Sequence, residues 1–445
     1  MTKVIIVGGG CFGLSTAYAL SLSEEYEVWV FDRQQIPAPD AASTDINKIV
    51  RFDYGNDDIY MRLTMEALPY WQQFNKERAE QGEEPLFHQT GVLMMSSNGS
   101  YSEFEKRSLK KIREAGYGHV IEELLTPESI IDRFPQFKDG VNNGFNIGYL
   151  NKAGGWCNSA EAVKHMYKKC VEQGVHFVAG GDQGTIASLY CPTSAGNVEG
   201  IVTGDGKVHV ADKVVLALGA WTAGVVDMKD LVVATGQAVV HFQTKGALRE
   251  QFDKNCPVWC ADLSRTGFYG FPVNADGKMK IGTHNSGYLW PREDSVSIPR
   301  TQVAFSSDTI PLSALKQLRT FLNKFIPPTV SMDISYCRLC WYCDSIDGDF
   351  LVSNHPEYSN LIVATGDSGH GMKFLPNIGF QIRNVIEGIS TDYTKKWAWR
   401  NLDASETKLD GLRQGSALSR GIIQGPDEEM RLVSADELCA GRASL

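Results

Sequence analysis

Residues 3–33 read KVIIVGGGCFGLSTAYALSLSEEYEVWVFDR, and this stretch decides the fold. It opens with an apolar run, Val4–Val7, which has the length of a buried strand and is followed at once by a Gly-x-Gly-x-x-Gly pattern. An apolar helix continues through Ala17–Leu22, and a second strand, Glu27–Phe31, ends at the acidic residue Asp32. This succession predicts a βαβ unit that binds a dinucleotide.

The three glycines of the pattern have separate roles in such a unit. Gly8 permits the tight turn, Gly10 lets a pyrophosphate approach the backbone, and Gly13 lets the helix pack closely on the strand. The helix N-terminus offers free N–H groups and a positive dipole to the phosphates. Asp32 can accept hydrogen bonds from ribose hydroxyl groups, which argues against a 2′-phosphate but does not distinguish NAD from FAD.

The composition of the whole chain narrows the class of protein. With 445 residues, of which 43% are hydrophobic and 22% charged, the chain is long enough for two globular lobes. A net charge of −10 disfavours nucleic acid or an anionic membrane as a partner. No apolar run has the length of a membrane span, and no signal-like segment precedes the first strand. We therefore expect an intracellular protein, cytoplasmic or peroxisomal, with most of its ten cysteines reduced.

The last four residues, Arg442-Ala443-Ser444-Leu445, resemble a peroxisomal address. Such a signal ends in Ser-Lys-Leu or a close variant, so Ser444 stands where a basic residue is expected. The match is imperfect, so the sequence leaves two locations open, the cytoplasm and the peroxisome.

A second glycine-rich turn lies far along the chain. The apolar strand Leu361–Thr365 leads into GDSGHG at residues 366–371, and an apolar helix follows over Phe374–Ile386. Gly369 and Gly371 are therefore predicted to approach the cofactor. Two such turns at opposite ends of the chain favour FAD over NAD, because FAD is commonly held by a discontinuous domain that carries an inserted lobe.

Two further segments return to the first sheet. The segment ADKVVLALGAW at residues 211–221 predicts a strand that brings Gly219 to the dinucleotide. The strand Val175–Val178 follows a helix, and we expect Val178 to contact the cofactor.

These patterns predict an α/β (α+β, two-lobed) protein with a Rossmann-like FAD-binding domain and an inserted, antiparallel, β-rich substrate domain. The FAD-binding domain is predicted to be discontinuous. The predicted boundaries are 1–85, 150–225 and 335–400 for the FAD-binding domain, 86–149 and 226–334 for the substrate domain, and 401–445 for a polar C-terminal extension at the surface.

Three cysteines follow one another at Cys337, Cys340 and Cys343, a spacing that occurs in iron–sulfur proteins. The surrounding residues alternate as in a strand, where residues three apart face opposite sides, so the thiols cannot easily converge. No fourth cysteine follows at the required spacing, and we expect no metal site. Small buried cysteines are the default interpretation.

The chain resembles the monomeric sarcosine oxidase and fructosyl amino acid oxidase (amadoriase) family of FAD-dependent amine oxidases, which includes pipecolate and saccharopine oxidases. The resemblance covers most of residues 3–390. Its most specific parts are Arg338-x-Cys340-Trp341 with Asp344 and His355-Pro356 downstream, ATGDSGHGMKFLPNIG at 364–379, and the segment 211–221. It implies a fold like that of D-amino acid oxidase and glutathione reductase, a monomer, and a thioether between Cys340 and the flavin 8α-methyl carbon.

The resemblance also implies residues that act on the substrate and on oxygen. The segments FYGFP at 268–272 and KIGTH at 280–284 resemble the sarcosine oxidase pattern. By that resemblance Lys280 lies over the flavin and activates O2, while Tyr269 and His284 line the substrate pocket. Whether His284 carries protons or is only a pocket wall stays open.

Three more cations are implied around the cofactor. Arg51 and Lys373 match the two family residues that hold the substrate carboxylate, and we expect Lys373 beside the cofactor as well. Lys48 stands where sarcosine oxidases have arginine, also next to the cofactor. Such cations would favour the neutral form of the substrate amine, the only form with a lone pair to drive oxidation.

One departure from the family bears on the substrate. Fructosyl amino acid oxidases carry an acidic pair where Thr283 and His284 stand here. We therefore predict an oxidase of a secondary-amine α-amino acid such as sarcosine, pipecolate or saccharopine, which gives an imine that hydrolyses and reduces O2 to H2O2. A fructosyl amino acid oxidase is the first alternative. An FAD dehydrogenase with another acceptor, a nicotinamide-linked dehydrogenase and a non-catalytic flavoprotein are further alternatives.

Overall fold

The computed structural model describes residues 1–193, 196–401 and 420–440. Its strands are β1 (Thr2–Val7), β2 (Tyr26–Asp32), β3 (Lys48–Val50), β4 (Phe87–His88), β5 (Val92–Ser96), β6 (Ile121–Leu124), β7 (Ile147–Asn151), β8 (Gly155–Cys157), β9 (His176–Ala179), β10 (Ile186–Tyr190), β11 (Gly200–Thr203), β12 (Val208–Val210), β13 (Lys213–Leu216), β14 (Val232–Gln243), β15 (Val258–Ala261), β16 (Phe268–Gly270), β17 (Lys278–Thr283), β18 (Tyr288–Leu289), β19 (Tyr336–Ser345), β20 (Leu351–Asn354), β21 (Leu361–Thr365) and β22 (Gly421–Ile422).

Helices make up the second class of element. The α-helices are α1 (Cys11–Ser21), α2 (Asp58–Glu80), α3 (Glu103–Glu114), α4 (Pro127–Arg133), α5 (Lys138–Asn142), α6 (Ser159–Glu172), α7 (Gly181–Gly184), α8 (Gly246–Gln251), α9 (Leu263–Thr266), α10 (Leu312–Phe325), α11 (Ile378–Ile386) and α12 (Asp392–Lys396). Short 3-10 turns at Gly219–Gly224 and Met372–Phe374 follow β13 and the second glycine-rich loop.

A six-stranded sheet forms the dinucleotide-binding scaffold. Its order is β20-β21-β13-β1-β2-β9, with parallel pairing throughout except between β20 and β21. Successive residues of β1 point to opposite faces, and both faces are buried: Ile6 packs among the helices α1, α6 and α11, while Ile5 packs towards the small sheet β10-β11-β12. Burial on both faces explains why β1 reads as a continuous apolar run.

A ten-stranded sheet forms the second lobe. Its order is β22-β18-β14-β17-β16-β15-β5-β7-β6, with β19 paired to β14. The sheet is mostly antiparallel as expected, but β5 runs parallel to β15, and β18 runs parallel to β22. Because β19 pairs with β14 along its length, Cys340 lies in this sheet, although the predicted boundary places residues 335–400 in the FAD-binding domain.

The C-terminal residues differ from the predicted surface extension. Residues 420–440 return to the ten-stranded sheet, where β22 pairs with β18, and the side chains of Ile423 and Val433 are buried. The tail 442–445, with its peroxisome-like ending, lies outside the described residues. Within the described residues, no helix combines the length and apolar composition needed to cross a membrane.

Candidate active site

A cavity of about 260 Å³ begins at the first glycine-rich turn and continues between the two lobes. Gly8 has a φ of +110°, and a Cβ there would lie 2.3 Å from the carbonyl oxygen of Ala217. At Gly13, a Cβ would lie 1.8 Å from the carbonyl oxygen of Gly8. Both positions therefore require glycine for packing, whereas a Cβ at Gly10 would meet only Ser43 Oγ, at 3.4 Å, on the cavity side.

Asp32 lies at the end of β2 and lines the same cavity. Its carboxylate accepts hydrogen bonds from the N–H groups of Gly9 (2.7 Å) and Gln34 (2.9 Å). Burial raises the pKa of this carboxyl group, and these two hydrogen bonds oppose the rise. The side chain is thus held rigidly at the position where a ribose would be bound.

The second glycine-rich turn lines the same cavity, together with Lys48 and Tyr342. Gly369 has a φ of +76°, and a Cβ there would lie 2.2 Å from the Tyr342 ring, so the turn lies against β19. Gly371 also lines the cavity, and a Cβ there would lie 3.0 Å from the ring of Phe12 on α1. The two turns thus form one continuous wall.

The sequence predicts cofactor contacts at Gly219 and Val178 as well, and the structure places one of these two residues on the cavity wall. Gly219, with a φ of +52°, lines the cavity. Val178 instead pairs with Phe31 inside the six-stranded sheet, and among the described residues the wall beyond β9 is made by 184–186. The prediction placed the contact in the strand, but the chain reaches the cavity only after α7.

These residues fit a flavin adenine dinucleotide. The cavity is lined by the N-terminal end of α1, by the carboxylate-bearing Asp32, by the cationic Lys48 and by the aromatic Tyr342, which are groups that could contact phosphates, a ribose and a flavin ring. Six glycines and six alanines are among the lining residues and leave room for the close approach of a long ligand.

Cys340 is buried beside the cationic end of this cavity. The ammonium Nζ of Lys48, which lines the cavity, lies 3.5 Å from Cys340 Sγ. Cys337 and Cys343 belong to two other hydrophobic clusters, on the opposite face of β19. The middle cysteine thus faces Lys48, whereas the thiol of Cys343 accepts from the hydroxyl of Thr365, another residue of the cavity wall, at 3.0 Å.

Lys280 is fully buried on β17 and bound on two sides. Its Nζ donates to the carboxylate of Asp45 at 2.7 Å and to the carbonyl oxygen of Asn47 at 2.7 Å. Burial lowers the pKa of Lys280 to about 8, although the carboxylate of Asp45 raises it. The amine therefore titrates near neutrality while it stays cationic at pH 7.

Asp45 is the centre of a cluster of three cations. Besides Lys280, the side chains of Lys48 (3.5 Å) and Arg338 (3.4 Å) lie within ion-pair distance of its carboxylate. Burial raises the pKa of Asp45, but these cations outweigh that effect and hold it well below its usual range. His241 lies 3.9 Å away, and burial lowers its pKa to about 4, so it faces the carboxylate as a neutral ring.

Arg51 and Lys373 come from opposite ends of the chain and meet around one aromatic ring. Both are buried, with 6% and 4% of their surface exposed. The guanidinium carbon of Arg51 lies 5.3 Å from the centroid of Tyr54, and Lys373 Nζ donates to the Tyr54 hydroxyl at 2.9 Å. Lys373 follows Gly371 and Met372 of the cavity wall directly along the chain. The predicted carboxylate-binding residues are thus brought together.

Tyr269 and His284 lie on the same side of the ten-stranded sheet. His284 follows β17, its backbone N–H donates to Gly267, and its ring lies 6.0 Å from that of Tyr342 on the cavity wall. Burial raises the pKa of Tyr269 to about 12, so its hydroxyl stays protonated. Both side chains therefore face the region next to the cationic end of the cavity.

Sequence reasoning missed two residues that organise the site, Asp45 and Tyr54. Both lie in the segment 45–55, which also carries Lys48 and Arg51, but no local pattern distinguishes them. Their partners Lys280 and Lys373 are 235 and 319 residues away along the chain. Only the polar residue type of Asp45, within a segment that also carries Arg51, could have drawn attention to it.

Comparisons with known proteins agree with this arrangement. A family model described as FAD dependent oxidoreductase matches residues 3–383. The chain is 31% identical to L-saccharopine oxidase of Schizosaccharomyces pombe over 430 residues, which covers 92% of this chain and 96% of that protein. It is 24% identical to the monomeric sarcosine oxidase of Bacillus sp. (strain B-0618), covering 84% of this chain and 90% of that one.

Solved structures show the same likeness. The fructosyl peptide oxidase from E. terrenum superimposes with a TM-score of 0.84 at 28% identity, covering 95% of this chain and 96% of that one. Together, these comparisons confirm the predicted fold class and the predicted family resemblance.

Proposed function

The chain belongs to the family of FAD-dependent oxidoreductases, and on that premise we propose that it oxidises a secondary-amine α-amino acid such as sarcosine, pipecolate or saccharopine. The product is an imine that hydrolyses, and O2 is reduced to H2O2. The observation that supports the proposal is a group of cations, one of which lines the cavity. Lys48 lines the cavity and shares the carboxylate of Asp45 with the buried Lys280, while the buried Arg51 and Lys373 meet around Tyr54.

Arg51 and Lys373 would bind the substrate carboxylate. An arginine can hold a carboxylate through two parallel N–H···O bonds, and a lysine adds a point charge. Because both side chains are buried and anchored, a substrate bound to them would be held in one orientation, with its amine towards the cavity. Two cations close by would also keep that amine neutral, as the reaction requires.

FAD, when bound, would accept a hydride equivalent from the carbon next to the amine and pass the electrons on to oxygen. Lys280 supports the second half of this reaction. A buried cation is well suited to stabilise the negative charge that develops as O2 takes up electrons. Asp45 keeps that cation protonated, since burial alone would lower the pKa of Lys280 further.

Attachment of the flavin to Cys340 is part of the proposal. Cys340 Sγ lies 3.5 Å from the ammonium of Lys48, a residue of the cavity wall, so the thiol is placed next to the space that the cofactor would occupy. Although burial lowers the pKa of Lys48, the sulfur of Cys340 and the carboxylate of Asp45 raise it above its usual value, so Lys48 is a permanent cation. We further propose a monomer, since a relative is described as monomeric sarcosine oxidase, and a cytoplasmic or peroxisomal location.

A fructosyl amino acid oxidase is the second candidate, because solved fructosyl peptide oxidases share the fold over nearly the whole chain. The side chains near the cavity favour the first candidate. Thr283 and His284 stand where the resemblance places an acidic pair in fructosyl amino acid oxidases, and neither offers a carboxylate to a sugar.

The experiment is a screen of the purified holoenzyme with an oxygen electrode and a peroxide assay. Sarcosine, L-pipecolate, L-saccharopine and fructosyl-valine are compared at equal concentration. We expect oxygen uptake and stoichiometric peroxide with at least one of the first three. Turnover of fructosyl-valine alone would establish the second candidate, and turnover only with an artificial electron acceptor would identify a dehydrogenase.

A further inference from the structure

We propose that Tyr54 is the positioning residue of the carboxylate site: its ring holds Arg51, and its hydroxyl, aligned by His370, holds Lys373. This inference rests on the proposed role of the two cations in binding a substrate carboxylate. It adds the residue that makes them act as one site, although they are contributed by distant parts of the chain.

The geometry places Tyr54 between the two cations. The Arg51 guanidinium carbon lies 5.3 Å from the centroid of the ring, within the range of a cation–π contact. The hydroxyl lies 2.9 Å from Lys373 Nζ. The ring itself is held in place by Tyr60, whose ring stacks on it at 5.3 Å. Tyr54 thus contacts both charges. Arg51 also donates to the carbonyl oxygen of Asp53, and its guanidinium carbon lies 5.8 Å from the centroid of Phe104.

His370 gives the hydroxyl group a direction. Its Nε2 lies 3.2 Å from the carbonyl oxygen of Gly348, which can only accept, so Nε2 carries the hydrogen. In the neutral ring Nδ1 is then the acceptor, and it lies 3.2 Å from the Tyr54 hydroxyl. The tyrosine O–H therefore donates to His370, which turns its oxygen lone pairs towards the ammonium of Lys373.

The same loop also holds Lys373 from a second side. Its Nζ donates to the carbonyl oxygen of His370 at 2.8 Å. Both named partners of the ammonium, the tyrosine oxygen and this carbonyl, are neutral acceptors. These two contacts fix the position of the ammonium relative to Tyr54 and to the loop.

The test compares Tyr54→Phe, which keeps the ring and removes the hydroxyl, with the unchanged holoenzyme. Propionate and propionamide serve as probes because they differ in charge and neither has an amine to oxidise; binding is read from changes in flavin absorbance. We expect Tyr54→Phe to raise the Kd of propionate about tenfold and leave that of propionamide unchanged. With an amino-acid substrate, KM should rise by a similar factor while kcat stays within about twofold.

A double-mutant cycle shows whether Tyr54 acts through Lys373. In a Lys373→Met background, Tyr54→Phe should change the propionate Kd by less than about twofold, because the group that it positions is already gone. The matched control is Tyr101→Phe, whose hydroxyl donates to Gly148 at 2.7 Å away from these cations, and it should leave all constants unchanged.

Several results would overturn the inference. These are an unchanged propionate Kd in Tyr54→Phe, an equal loss for propionate and propionamide, full additivity with Lys373→Met, or a loss in kcat without a rise in KM. Failure of the proposed function looks different. If the holoenzyme oxidises none of the amines but binds propionate through Tyr54, the substrate proposal is wrong and the carboxylate site stands.

Discussion

The ammonium of Lys280 and the carboxylate of Asp45 lie 2.7 Å apart, and both side chains are buried. Burial disfavours each charge on its own, so the pair keeps both groups ionised where a single one would become neutral. The lysine pKa of about 8 reflects burial, which lowers it and outweighs the raising effect of the Asp45 carboxylate. The charge of Lys280 at neutral pH therefore depends on the carboxylate of Asp45.

Replacement of that carboxylate in Asp45→Asn should slow the reoxidation of the reduced enzyme by O2. Without the carboxylate, burial and the nearby Lys48 lower the pKa of Lys280 further, so its ammonium loses its proton at neutral pH. Each unit of pKa below the working pH reduces the charged fraction about tenfold. Stopped-flow measurements at pH 7.5 should show reoxidation slower by about tenfold, and recovery as the pH is lowered.

The matched control for this variant is Asp276→Asn, in which an exposed carboxylate loses its ion pair with Lys278, 2.8 Å away. It should reoxidise at the unchanged rate. Removal of one partner of a buried ion pair also lowers the free energy of unfolding, by about 3 kcal/mol. A reoxidation rate in Asp45→Asn equal to that of the unchanged enzyme, with flavin bound, would contradict the role given to Lys280.

The unchanged enzyme should itself show a pH dependence in the oxygen reaction. Lys280 is charged below its pKa of about 8 and neutral above it, so the reoxidation rate constant should be level below pH 7 and fall as the pH rises through 8. Lys280→Met should slow reoxidation by about 100-fold and abolish this pH dependence. Reduction by substrate should change far less, and Lys278→Met, on the same strand, should leave both half-reactions unchanged. Equal slowing of both half-reactions in Lys280→Met would refute the assignment.

The fold was largely predictable because its decisive signals are local. The strand expected over Val4–Val7 extends from Thr2 to Val7, and the strand expected over Glu27–Phe31 extends from Tyr26 to Asp32. In these elements a buried parallel strand requires an apolar run, and the turn between them requires glycine at positions that a Cβ would block. Such constraints can be recognised from a few consecutive residues of the sequence.

The glycine-rich turns and Asp32 on the cavity wall were predictable from local patterns, whereas the cations and Cys340 were predicted as site residues only through a family resemblance. Asp45 and Arg338 are 293 residues apart, and their contact depends on how the two lobes pack. No periodicity or spacing in the sequence predicts a contact between residues so far apart. Val178 lies in a strand that was predicted correctly, but in this structure the residues of that part of the chain that line the cavity are 184–186.

Covalent attachment of the flavin can be tested with the three neighbouring cysteines as mutual controls. After acid precipitation, yellow colour should stay with the pellet of the unchanged enzyme and move to the supernatant in Cys340→Ser. In Cys337→Ala and Cys343→Ala the colour should stay with the pellet, because these thiols lie in clusters on the other face of β19. A yellow pellet from Cys340→Ser would assign the attachment to another residue.

The two glycines of the first turn should respond differently to alanine. At Gly8 a Cβ would lie 2.3 Å from the Ala217 carbonyl, and the φ of +110° strains any other residue, so Gly8→Ala should prevent the strands β1 and β13 from pairing and yield little folded protein. At Gly10 the nearest atom to a Cβ is Ser43 Oγ, at 3.4 Å, an ordinary contact. Gly10→Ala should therefore fold and melt normally as the apoprotein, but bind FAD at least tenfold more weakly, because the methyl group occupies space on the cavity wall. Thermal melting of the apoprotein and titration with FAD separate the two effects; normal FAD affinity in Gly10→Ala would show that the pyrophosphate does not approach this residue.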